Sequence, residues 1–254
     1  MACMADEVLA GAHAARAKLG APEDEPLADV LALVEDGHGV PVGVLALDSG
    51  VAGAYLRRPA GALILLNGTD SAARLRFTLA HELGHHVLAH EQSVDTHADL
   101  RRPVRRMEIE ANAFAAELLA PVPAVRAWLA RHASPAVGLV EVVEFAAQFG
   151  ISALAALFRM QAAGALGDRG RTGRIRREIE ENSHLDLRHR LHLPDFEDGL
   201  SRARERMPRL PGGSALDAYA RGTIAAERLA AIVRVPVDEV RATMRAADLE
   251  PPAG

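Results

Sequence analysis

The first part of the chain passes from a helical to an extended pattern of apolar residues. Apolar positions recur with helical spacing over residues 6–18 and 26–35. Three short β-prone segments, VPVGVLALD, VAGAYLRR and GALILLN, then occupy residues 40–67 and are separated by Asp-Ser-Gly and Pro-Ala-Gly turns. This pattern predicts two scaffolding helices followed by a small three-stranded antiparallel sheet.

The next segment, GTDSAARLRFTLAHELGHHVLAHE, has the apolar stripe of a single helix. Leucines recur every four residues over 75–83, and Asp70 or Ser71 is placed to cap the N-terminus. Residues 92–106 are polar and interrupted by a proline, which predicts an exposed loop. Helical periodicity returns in MEIEANAFAAELLA and ends before Pro121, so this segment is predicted as a second long helix.

The rest of the chain has helical patterning with one interruption. Three more helices are predicted at residues 122–132, 135–149 and 152–163. Residues 166–175 are basic and rich in Gly, which predicts a linker. The chain is therefore predicted as a mostly helical α+β protein, with one domain in residues 1–165, this linker, and a helical C-terminal module in residues 176–254.

Composition and charge limit the classes of function. The 254 residues are 49% hydrophobic and 25% charged, as in ordinary globular proteins, and the formal net charge of −5 argues against binding nucleic acid through bulk electrostatics. The single cysteine, Cys3, excludes an internal disulfide and a thiolate metal cage. The N-terminal residues lack the pattern of a secretory signal, and no long apolar run predicts a membrane span, so the cytoplasm is expected.

The motif HELGHH carries the strongest chemical signal. His81 and His85 are four residues apart, so on a helix their imidazoles lie one turn apart on the same face and can bind one ion. Glu82 is rotated by about 100° from His81, which places its carboxylate beside the metal as a general base. Zn²⁺ is the predicted metal. His86 and His90 are expected to be exposed or to support the ligands.

A third ligand is expected from the helix MEIEANAFAAELLA. A metzincin would need Gly at position 88 and His at position 91, where this chain has Leu and Glu. The candidates are Glu108, Glu110 and Glu117, and the alanines between them allow close helix approach. Phe114, one turn after Glu110, marks that face as buried, so Glu110 is the predicted ligand and Glu108 the second choice.

Two motifs resemble those of a known family. The segments RFTLAHELGHH, at residues 76–86, and EIEANAFAAELLAP, at 108–121, closely resemble the ImmA/IrrE metallopeptidases in order and spacing, as does the preceding LILLN. The resemblance covers about residues 25–165; Ala120 departs from the Met common before this proline. It implies a zincin-like, minimal gluzincin fold, with His81, His85 and Glu110 as zinc ligands and Glu82 as catalytic base.

The resemblance also implies a partner. Such proteins typically cleave or inactivate a DNA-binding repressor of the XRE type, often encoded beside them, in stress or mobile-element control. We expect an extended substrate to add as a strand at the sheet edge formed by residues 54–66. Tyr55, His90 and Arg76 are candidates for the oxyanion donor, although packing or surface roles are the stronger expectation for each.

Two other functions are consistent with the sequence. A non-proteolytic regulator would bind a repressor or DNA through helical pairs at residues 142–160 or 224–244, or would touch phosphate with the basic stretch 169–177; these pairs carry few base-reading side chains. A toxin-like peptidase neutralised by an antitoxin would differ from the first hypothesis only in its partner.

Overall fold

The fold was analysed in a computed structural model of the chain. The structure describes residues 2–18, 20–58, 61–132, 136–167, 169–200, 206, 208, 219, 222, 224–233 and 236–246.

Helices and a small sheet alternate in the first half of the chain. In order, the elements are α1 (Ala2–Ala17), α2 (Val30–Ala32) with a π-helical turn (Leu33–Gly37), β1 (Val42–Leu45), β2 (Val51–Arg58), β3 (Gly61–Asn67), α3 (Ala72–Val87), β4 (Ser93–Thr96), α4 (His97–Arg101) and α5 (Arg106–Leu119). The second half is helical: α6 (Val122–His132), α7 (Leu139–Phe149), α8 (Ala153–Ala162), α9 (Arg169–Glu180), α10 (Ser183–Arg190), α11 (Ala226–Val233) and α12 (Val237–Ala246). The predicted α+β class is therefore confirmed, with Ser71 as the N-cap residue of α3.

The sheet has four strands, where the sequence predicted three. The strand order is β1-β3-β2-β4, with β1 parallel to β3 and β2 antiparallel to both β3 and β4. The additional strand, β4, lies in the segment that was predicted as an exposed loop. Its pattern of burial is inverted relative to an ordinary strand, because Ser93 and Asp95 are buried whereas Val94 is 59% exposed. A search for alternating apolar residues therefore could not find it.

Helix α3 packs on the sheet against β2 and β3, and α5 packs beside α3. A Cβ atom at Gly84 would lie 3.2 Å from the Cα of Ala111 and 3.1 Å from the ring of Phe114, so the absence of a side chain at Gly84 lets the two helices approach closely. Leu79, Leu83 and Leu118 are fully buried around this contact. The small residues of both helices bring the catalytic motif of α3 near the carboxylates of α5.

The predicted linker is a helix over most of its length. Helix α9 begins at Arg169, and its Ile175 and Ile179 are buried in the same core as α8. Leu200 also belongs to this core, and Arg206 forms a β-bridge with Val44 on the outer edge of β1. The boundary predicted at residue 165 does not coincide with a break in the core, because two isoleucines at helical spacing give α9 a buried side.

The last helices have an apolar cluster of their own. Tyr219, Leu229 and Val240 are buried in a group centred on α11 and α12. The sequence predicted helices in this region, but its residues 201–205 and 209–218 lie outside the described part of the chain. The division into two domains stays a prediction.

One helical stretch passes a membrane-span test by length and composition. It is Arg106–His132, and 56% of its apolar window is buried inside the protein, as in a core helix. The pair α7 and α8 passes only if both helices are taken together, and they are bent by 106°.

Candidate active site

Two histidines of α3 converge on a single point. The Nε2 atoms of His81 and His85 are 3.0 Å apart, and both side chains are fully buried. Two nitrogens bound to one tetrahedral zinc ion would lie roughly 3.3 Å apart, given Zn–N bonds of about 2.0–2.1 Å. The spacing of the two imidazoles therefore fits a shared ion.

Two carboxylates complete this group. An oxygen of Glu108 lies 3.1 Å from Nε2 of His81 and 3.5 Å from Nε2 of His85. An oxygen of Asp95, on β4, lies 3.7 Å and 3.6 Å from the same two nitrogens. The donor atoms of all four residues lie within 4.8 Å of one another. Two imidazoles and two carboxylates form a donor set that suits a divalent ion such as zinc.

Glu110, the predicted third ligand, is not part of this group. Its carboxylate accepts a hydrogen bond from Arg106 at 2.8 Å and contacts Nε2 of His90 at 3.2 Å. Glu108, the second choice, is 1% exposed and occupies the place predicted for Glu110. The assignment of Glu110 is corrected accordingly.

Glu110 is predicted from the sequence because Phe114, one turn after it, is expected to mark the face of α5 that meets the histidines. Phe114 is buried where α5 meets both α1 and α3: a Cβ atom at Gly11 would lie 3.7 Å from its ring, and one at Gly84 would lie 3.1 Å from it. A second buried face of the same helix, containing Glu108, Ala111 and Ala115, lies against α3. Because α5 is buried on two sides, an aromatic residue alone could not tell which side faces the histidines.

Each histidine is held through its second ring nitrogen. The Nδ1 atom of His81 lies 2.9 Å from the side-chain oxygen of Asn112, whose amide donates to the carbonyl of Leu100. The Nδ1 atom of His85 lies 3.0 Å from Nδ1 of His90. Contacts of this kind leave Nε2 directed at the metal position and fix the orientation of each ring. Of the two further histidines, His90 therefore holds the ring of His85, whereas His86 contacts the Tyr55 hydroxyl at 3.3 Å.

Glu82 packs against β2 at Gly53, where no side chain larger than that of glycine would fit. A Cβ atom at Gly53 would be 2.8 Å from a carboxylate oxygen of Glu82 and 2.6 Å from the methyl of Thr78. Neither oxygen of Glu82 receives a hydrogen bond from a described residue, and its side chain is fully buried. Burial raises the pKa of Glu82 well above its usual range, although the adjacent His81 opposes this shift. A buried carboxyl group without such hydrogen bonds stays protonated unless a cation lies close by.

The pKa values of His81 and Asp95 also indicate that positive charge is needed at this site. Burial lowers the pKa of His81, but hydrogen bonds to Asp95 and Glu108 outweigh it and raise the pKa to about 9. Burial alone would raise the pKa of Asp95, yet hydrogen bonds from His81, His85 and Ser93 hold it well below its usual range. Without a metal, the proton on His81 therefore balances a neighbouring carboxylate, and a bound ion would replace it.

Sequence reasoning missed Asp95 and Asn112. Asp95 lies on a polar strand with no apolar pattern, and the printed sequence gives no signal for it. Asn112 could have been found, because it is four residues after Glu108 and so shares its helix face. Among the other candidates, Arg76 makes a buried ion pair with Asp198, which agrees with the packing role expected for it.

Comparison with known proteins identifies the family. Residues 36–161 match the model of Peptidase_M78, described as the IrrE N-terminal-like domain. No curated protein matches the chain. The matched range contains the sheet, α3, α5 and all four residues of the buried donor group. Residues 36–161 therefore form a domain of the Peptidase_M78 family, and the chain carries a metallopeptidase domain of the ImmA/IrrE kind.

Proposed function

We propose that the protein is a zinc-dependent endopeptidase, with His81, His85 and Glu108 as metal ligands and Glu82 as general base. The carrying observation is the convergence of the two Nε2 atoms and the Glu108 carboxylate, with the unpaired Glu82 carboxylate beside them. Imidazole and carboxylate ligands in a buried site are characteristic of zinc hydrolases.

The residues of the site take different roles in peptide hydrolysis. A zinc ion held there would polarise the peptide carbonyl and make water nucleophilic near neutral pH. Glu82 accepts the proton of the attacking water and returns it to the leaving amine. Asn112 and His90 keep the two ligand rings in place.

For the substrate, we propose a separate DNA-binding repressor of the XRE type, cleaved in the cytoplasm during a stress or mobile-element response. The support is the resemblance of the two motifs to the ImmA/IrrE proteins and the family match over residues 36–161. A product of an adjacent gene is the first candidate. A toxin-like peptidase held by an antitoxin would have the same site and a different partner.

The test combines metal analysis with cleavage of the candidate repressor. Glu82→Gln should retain zinc and lose cleavage by about 100-fold or more, as expected when a general base is removed. Glu108→Gln should lose both zinc and cleavage, whereas Glu110→Gln, a matched change on the same helix, should retain the metal. Cleavage by Glu82→Gln at the wild-type rate would exclude this mechanism.

The alternative of a non-proteolytic regulator has one supporting observation. Helices α7 and α8 are joined at Gly150 and bent by 106°, an angle also found in helix-turn-helix units. However, Arg159 of α8 is engaged with Glu117 and the carbonyl of Ala120, and the exposed side chains of α8 include Phe158 and Gln161 but no cation. A gel shift of random duplex DNA by Glu82→Gln protein would support the alternative.

A further inference from the structure

Every group that would touch the scissile bond is buried. His81, Glu82, His85 and Asp95 are fully buried and Glu108 is 1% exposed. An endopeptidase must bring a peptide carbonyl to this point, so the arrangement does not admit substrate. The covering segment is residues 93–105, which contains β4 and α4 and ends at Arg105 over the site.

Strand β4 occupies the edge of the sheet that a substrate would use. It pairs antiparallel with β2, with Ala54 opposite Val94 and Tyr55 opposite Ser93. We expected an extended peptide to add at this edge, because strand addition satisfies the backbone of a bound peptide beside the metal. The chain itself fills this place with β4.

Asp95 places a fourth donor among the three proposed ligands. Catalytic zinc sites have three protein ligands and an open position, whereas four protein ligands are typical of closed, structural sites. The two histidines and Glu108 already supply three donors. The carboxylate of Asp95, at 3.7 Å and 3.6 Å from the two imidazole nitrogens, therefore lies where the open position is needed.

The covering segment is held by polar contacts and buries little apolar surface. Val94 is 59% exposed and α4 has no buried residue. Arg105 reaches Glu108 at 2.8 Å and Asp95 at 3.4 Å, and the Ser93 hydroxyl donates to Asp95 at 2.8 Å. Removing this segment would leave the hydrophobic core intact, so its displacement is far less costly than that of a core strand.

Pockets lie on both sides of the covering segment. One, of about 540 Å³, is lined by residues that include His90, Arg105 and Glu110. The other, of about 700 Å³, is lined by residues that include Thr78, Leu100 and Asn112. Asn112 and His90 each contact a ligand histidine, so both pockets end beside the site.

We propose that the protein is seen in a closed resting form, in which Asp95 is the fourth metal ligand and β4 occupies the substrate's place on β2. Activation then consists of the withdrawal of residues 93–105, which opens the metal position and the strand edge together. This inference rests on the proposed function and concerns the regulation of the same site.

The first test measures access to the metal without using catalysis. Co²⁺-loaded protein is titrated with acetohydroxamate, a small chelating probe, and binding is followed by the visible spectrum of the cobalt. Asp95→Ala should bind the probe at least tenfold more tightly than wild type and should cleave unfolded casein faster. Glu91→Gln, which removes an exposed carboxylate just before β4, is the matched control and should behave as wild type.

The second test holds the segment closed. Ala54→Cys with Val94→Cys, in a Cys3→Ser background, places two thiols on paired residues whose Cα atoms are expected to be about 4.5–5.5 Å apart, within disulfide range. The oxidised protein should bind acetohydroxamate weakly and leave casein intact, and reduction should restore both. Equal probe binding and cleavage in the two redox states would overturn the proposal.

The two proposals fail in different ways. If no variant retains a divalent metal, or if Glu82→Gln cleaves as well as wild type, the proposed function fails. If metal is retained and cleavage depends on Glu82, but wild type and Asp95→Ala bind acetohydroxamate equally, the resting form alone is refuted. If Asp95→Ala folds poorly, the disulfide-linked variant with Ala54→Cys and Val94→Cys still decides between these outcomes.

Discussion

A buried ion pair connects the catalytic helix to residues far along the chain. Arg76, five residues before His81 on α3, pairs with Asp198, and their side chains are 1% and 0% exposed. The guanidinium also donates to the carbonyl of Leu27 at 2.9 Å and lies 4.1 Å above the ring of Phe196. Asp198 falls within the predicted C-terminal module, so the pair tests whether this part of the chain stabilises the catalytic domain.

The magnitude follows from the burial of both partners. Removing one partner of a buried pair leaves an uncompensated charge and costs about 3–5 kcal/mol, whereas replacing both with apolar residues is often nearly neutral. Asp198→Asn keeps the shape of the side chain and removes the charge. For a chain of this size, each kcal/mol lowers the melting temperature by about 2–4 °C, so a decrease of about 6–20 °C is expected.

The assay is equilibrium unfolding in urea, followed by far-ultraviolet circular dichroism. The free energy of unfolding should fall for Asp198→Asn and recover in large part in the double variant Arg76→Met with Asp198→Leu. Asp195→Asn is the control, because Asp195 pairs with Arg188 and its side chain is 94% exposed, so almost no change is expected. A loss below about 1 kcal/mol for Asp198→Asn would refute the argument from burial.

Three further predictions concern the site and its surroundings. Gly84→Ala should destabilise the protein by about 1–3 kcal/mol and weaken zinc binding, because the added methyl would press on Ala111 of α5. Thermal unfolding and metal titration measure the two effects, and an unchanged melting temperature and zinc affinity would contradict the prediction. Zinc at 100 times its dissociation constant should raise the free energy of unfolding by about 2.7 kcal/mol over chelator-treated protein, and no change would exclude a metal site in the folded state. Burial and Lys18 lower the pKa of His38 to about 4, so the unfolded chain takes up a proton first and the free energy of unfolding falls as the pH drops from about 6.5 to 4. In His38→Gln, measured in chelator by urea unfolding at both ends of this range, the free energy of unfolding should fall by less than in wild type. An equal fall in the two proteins would show that His38 is not responsible.

The sequence by itself determined the family, the fold class and the position of the catalytic motif. HELGHH carries its own geometry, because residues four apart on a helix share a face wherever the helix lies. The leucine stripe around the motif predicts a helix, and α3 is found over Ala72–Val87. The adjacent Glu82 is placed by the same helical periodicity.

The tertiary structure decided which carboxylates meet the histidines. Helix α5 has two buried faces, one toward α1 and one toward α3, and local periodicity cannot say which neighbour each face will meet. The choice between Glu108 and Glu110 therefore depended on packing, through Gly84 and Ala111.

The fourth strand was also beyond the reach of local pattern. Strand β4 is polar, and its Ser93 and Asp95 are buried because they face the histidines and not an apolar core. Sequence patterns reveal burial through hydrophobicity, so a segment whose buried side chains bind to charged groups resembles an exposed loop. Only the pairing of β4 with β2 brings Asp95 to the site.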